Sequence, residues 1–165
     1  MEIIKLSTDW AKAEVFSAKM TGLLSLLVLV VALGFWQLGK TPMAKSFGWP
    51  LMVAGLLLVA VSAGLYFANK PRIARFEAAY QNDAKSFIQN EIIRTAKSKH
   101  DLALVFKVLP AICIAATLLI MFSQTPLWRA IGVVTILLMT LLMLIDSNTD
   151  ARNTAYHQQL QMAKQ

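Results

Sequence analysis

Two histidines and three aspartates are the residues best suited to chemistry. His100 and Asp101 are adjacent, Asp146 and Asp150 stand four apart, and His157 follows two turns later. Imidazole beside carboxylate is a donor set for a divalent metal and an acid–base pair for action on a lipid headgroup. The spacing matches no metal motif, however, and Asp146 and Asp150 fall where an apolar run gives way to a polar tail, so solvation or capping explains them. Cys113 is the only cysteine, which leaves no disulfide framework and no cysteine metal site. No catalytic residue, cofactor site or metal site is assigned, and an enzyme is the least favoured expectation.

The elements that would position these groups are membrane elements. Hydrophobic residues make up 57% of the 165-residue chain, and the mean hydropathy is +0.57, beyond what a soluble core requires. The excess lies in four runs, Met20 to Leu38, Phe47 to Ala68, Leu102 to Phe122 and Leu127 to Ile145. Each is near the ~20 helical residues that cross a hydrocarbon core. The first run lacks a clear cleavage site and follows patterned sequence, so it reads as a retained span rather than a signal peptide. Trp36, Trp49 and Trp128 sit at matching ends of three runs, as interfacial tryptophans do.

Basic residues set the expected orientation. Lys5, Lys12 and Lys19 precede the first span, seven basic residues lie in the central stretch, Lys107 is just inside the third span and two more are in the tail, while the short loops hold only Lys40, Lys45 and Arg129. By the positive-inside rule this implies an inner-membrane protein with both termini and the centre cytoplasmic. The net charge of +7 then implies contact with anionic headgroups, not nucleic acid.

The expected fold is an all-α membrane protein, two parallel-repeated hairpins of transmembrane helices joined by a cytoplasmic amphipathic helix. Its parts are a cytoplasmic amphipathic segment (1–19), a first hairpin (20–68), a basic amphipathic helix (69–101), a second hairpin (102–145) and a cytoplasmic tail (146–165). In the first segment Trp10 is expected as an interfacial anchor. Pro71 suits the first turn of the central helix, and Ile73, Phe76, Tyr80, Phe87 and Ile92 share one face of it, opposite Arg72, Arg75, Lys85 and Arg94. That face, with Phe76, Tyr80, Phe87, Arg72 and Arg75 as its principal residues, is expected to dock on lipid or on a partner.

The two loops carry a shared pattern. Thr41-Pro42-x-x-Lys45-Ser46-Phe47-Gly48 matches Thr125-Pro126-x-x-Arg129-Ala130-Ile131-Gly132 at an offset of 84 residues. Threonine can cap, proline can open the helix and glycine permits close approach, so Thr41, Pro42, Gly48, Thr125, Pro126 and Gly132 are the expected turn residues. Gly55, Ala60, Gly64 and Ala68 in the second span, with Ala111 and Ala115 in the third, are expected to pack helix on helix, joining spans two and three or two copies of the chain. Pro110 is expected to bend the third span, and Lys107 to reach the headgroups or Asp146.

No ionisable residue lies near a span midplane, and the hydroxyls of Ser25, Ser62, Thr117, Thr135 and Thr140 can bond to their own helix carbonyls. The expected function is therefore interaction: a scaffold, accessory subunit or immunity-type inhibitor bound to another membrane protein or to itself. An oligomeric channel or small-solute carrier is the alternative.

Overall fold

The structure, a computed structural model, describes residues 2–164. Five helices account for nearly all of it: α1 (Glu2–Leu38), α2 (Pro42–Ser46), α3 (Gly48–Asn82), α4 (Ala84–Phe122) and α5 (Pro126–Lys164). Four helical stretches, formed by α1, α2 with α3, α4 and α5, are long and apolar enough to cross a membrane. The long helices run 35 to 39 residues, roughly 53–58 Å, which is nearly twice the hydrocarbon thickness of about 30 Å. All four apolar runs adjoin the two hairpin turns, whereas the termini and the α3–α4 junction share the other end. The bundle is thus divided lengthwise into an apolar half and a polar half.

The central stretch is not one helix. Asp83 takes an extended conformation, its amide closing α3 on Ala79 O, and its carboxylate accepts from the amides of Lys85 (3.0 Å) and Ser86 (3.1 Å) to begin α4. A carboxylate satisfying free N-terminal amides is a strong helix start. The helix expected over 69–101 is therefore a helical hairpin that continues the second and third spans. Pro71 lies inside α3 and not at a helix start, and α4 runs through Pro110.

The two membrane turns begin alike and then diverge. Thr41 Oγ1 accepts from Ala44 N at 3.1 Å and Pro42 opens α2, which ends at once before α3. Thr125-Pro126 opens α5 directly, and Arg129 Nε donates to Ser123 O at 2.9 Å. The glycines also differ: a Cβ on Gly48 would make ordinary contact with Trp36 at 3.4 Å, whereas one on Gly132 would lie 2.5 Å from Ile120 Cγ1 and 3.0 Å from Ala116 O.

Within the apolar half, α1 packs along α3 and α4 along α5. A Cβ on Gly55 would fall 2.6 Å from Leu29 Cδ2, so this glycine admits α1 and not α4. Ser62 Oγ donates to Ala18 O at 2.9 Å across the same interface. Val134 and Leu138 of α5 complete a core with Val28, Ala32, Leu51, Ala54 and Leu58. The packing expected between spans two and three is not made by the small residues assigned to it, because Ala60, Gly64, Ala68, Ala111 and Ala115 are all exposed. Ser25, Thr117 and Thr140 do bond to carbonyls of their own helices.

Candidate functional site

The polar half closes on a second core to which all four long helices contribute, comprising Trp10, Ala11, Phe76, Phe87, Tyr156 and Leu160. Turning at Asp83 folds the amphipathic pattern back on itself, so that the Phe76 and Phe87 rings meet edge to face at 5.5 Å, with Tyr80 against Phe87 at 5.8 Å. Phe76 is 5% and Phe87 6% exposed. These rings are therefore not an open docking face; the chain's own helices cover them. Arg75 is exposed, whereas Arg72 is half-buried and donates to Asn69 Oδ1 at 2.8 Å.

Trp10 is not at a surface either. It is 7% exposed and stacks on Tyr156 with centroids 5.2 Å apart. The Arg94 guanidinium lies 4.2 Å and that of Arg72 5.8 Å from its ring centroid, a cation–π arrangement strengthened by exclusion of water. Glu91 holds Arg94 from one turn away through Nε (3.0 Å) and Nη2 (2.7 Å). The Tyr156 hydroxyl lies 2.7 Å from Ser7 Oγ and 3.1 Å from Glu91 Oε2, its single proton serving one of them at a time. Farther toward the apolar half, Arg152 Nε donates to Glu14 at 2.8 Å, and Glu14 is only 2% exposed. Three arginines thus meet two carboxylates, and Arg72 is the cation without one of its own among the described residues.

The α4–α5 side adds a neutral network. The Thr95 hydroxyl donates to Glu91 O at 2.8 Å, so the 2.7 Å contact to His157 Nδ1 requires hydrogen on that nitrogen, and Nε2 then accepts from the Gln161 amide at 3.0 Å. Both contacts suit neutral imidazole. Burial, aided by Lys99, moves His157 in the same direction, below its ordinary value. Burial and the Glu91 charge raise the Tyr156 phenol far above its usual range, while burial and Arg94 lower Arg72. Asn153 Nδ2 donates to Ser98 Oγ at 2.8 Å, and the buried Asn153 Oδ1 and Trp10 Nε1 have no hydrogen-bond partner among the described residues. The arrangement holds charges in place and binds four helices in register.

The residues first considered for chemistry do not converge. His100 and Asp101 form an exposed contact at 3.8 Å, His157 belongs to the Thr95 network, and Lys107 is exposed and makes no ion pair with Asp146. Among the described residues no three of histidine, cysteine, aspartate and glutamate come together as a metal would require. Of the residues of this network the sequence singles out Arg94, on the basic face opposite the aromatic one, but not Glu14, Glu91, Arg152 or Tyr156. The pattern that could have found them is polar residues at core spacing: Ser7, Trp10 and Glu14 on one helix, with Arg152, Asn153 and Tyr156 on another. This chain matches no protein-family model, no curated protein and no solved structure.

Proposed function

We propose that this chain is a small polytopic inner-membrane protein whose work is to bind another membrane protein, as a scaffold, accessory subunit or immunity-type inhibitor. One observation carries the reading. Ala60, Gly64 and Ala68 stand four apart on α3 and are exposed, and a Cβ on Gly64 would meet no heavy atom within 4 Å. Small residues in that register let a second membrane helix approach until dispersion and weak hydrogen bonds hold it. The cytoplasmic placement of the polar half follows from the basic bias, and the shared loop motif makes the two hairpins parallel repeats about an axis along the membrane normal.

Cross-linking in native membranes, with the parent chain and with Gly64→Leu, tests the proposal. The open space around Gly64 lets the variant fold like the parent, and the recovered partner should disappear. A partner recovered equally with both would sink the assignment to this face. Recovery of the chain alone, as a defined oligomer, would replace the accessory role with self-association, and flux through liposomes would then test a channel or carrier.

A further inference from the structure

We infer that Lys19, Tyr66 and Lys70 form a binding site for the phosphate headgroup of an anionic glycerophospholipid. The bond from Ser62 Oγ to Ala18 O (2.9 Å) pins the Lys19 turn of α1 to α3. Tyr66 follows Ser62 by one turn on the same face and Lys70 follows Tyr66 by another. Lys70 Nζ lies 5.0 Å from the centre of the Tyr66 ring. Neither ammonium has a carboxylate within 4.0 Å among the described residues. The nearest acidic residue along α1, Glu14, is turned inward to Arg152 at 2.8 Å.

Two cations and a hydroxyl donor suit the two free oxygens of a phosphodiester, since charge-assisted bonds to phosphate are short and strong. The level is that of a headgroup, because the apolar runs begin at Met20 on α1 and end at Ala68 on α3. Phe16 (62% exposed) and Phe67 (72% exposed) flank the site with open apolar surface, which favours an acyl-bearing ligand over a soluble anion. The inference rests on the membrane placement proposed above and is independent of any protein partner.

Native mass spectrometry of the full chain in neutral detergent tests it, with phosphatidylglycerol, phosphatidylcholine of the same chains and inorganic phosphate as probes. One phosphatidylglycerol should be retained in preference to phosphatidylcholine. Replacing Lys19 and Lys70 by glutamine should weaken it roughly 30-fold, about fivefold per lysine. The same charge loss at the exposed Lys85 and Lys97 should leave retention unchanged. Equal loss in that control, equal retention of phosphatidylcholine, or displacement by millimolar inorganic phosphate would each overturn the site. Should the glutamine variant fail to fold, a photoactivatable phosphatidylglycerol on the parent chain must label the α1–α3 boundary, and labelling elsewhere has the same adverse meaning. Failure of the membrane placement itself would show separately, as recovery of the chain from the soluble fraction.

Discussion

Trp10 meets an aromatic ring, two guanidiniums and an apolar layer at once; Glu91 holds the Arg94 guanidinium within α4, and farther toward the apolar half Glu14 of α1 holds Arg152 of α5. Removing one partner from such a group leaves a buried charge uncompensated, whereas removing both does not. Glu14→Leu should therefore destabilise the chain by roughly 3 kcal/mol, and the double change Glu14→Leu with Arg152→Leu should recover most of that loss. Reversible unfolding in mixed micelles would measure both. His157 gives a pH dependence of known sign. Its folded-state pKa lies below the ordinary 6.5, so between the two values the unfolded chain binds more protons. Its contribution to stability is complete above pH 6.5 and is lost as pH falls through that value toward the folded pKa. Imidazole resonances should titrate below the free value, and His157→Gln should flatten this part of the stability profile.

At the scale of elements, the glycines rank by what an added methyl would strike. Gly132→Ala meets the Ala116 carbonyl at 3.0 Å as well as Ile120, and backbone cannot rotate away. The cost should be about 1–3 kcal/mol. Gly55→Ala meets Leu29 at Cδ2 (2.6 Å) and Cγ (2.7 Å), a side chain that can shift as backbone cannot, and should cost less. Gly64→Ala meets nothing and should lie within ~0.5 kcal/mol of the parent. An inverted order in micelle unfolding would contradict the pairing of α1 with α3 and α4 with α5. Asp83 acts on two helices at once, so Asp83→Ala removes the α4 cap at a cost of about 1 kcal/mol. Its break was legible as Asn82-Asp83, an ordinary helix-start signal. The apolar spacing from Phe76 through Phe87 to Ile92 masks that signal, since it continues across the turn as though one helix ran through it.

For the molecule as a whole, the lengthwise division makes a geometric prediction. In a chain whose Cys113 is replaced by serine, Thr41→Cys and Gln124→Cys should react with an impermeant thiol reagent applied outside intact cells. Asn82→Cys should react only after lysis, because the α3–α4 turn lies at the opposite end of the bundle from both membrane turns. Labelling of all three from one side would refute four crossings.

The all-helical character, the four apolar runs and the Thr41 cap were readable from the chain because each depends on neighbours within a turn or two. Tertiary structure alone decided that Trp10, Phe76 and Phe87 are interior, that Gly55 and Gly132 each admit the helix of their own hairpin, and that Ala60, Gly64 and Ala68 face outward. Periodicity reports that one face of a helix is apolar or small. It carries no information on whether lipid, a partner or a distant part of the same chain covers that face, because all three remove the same surface from water.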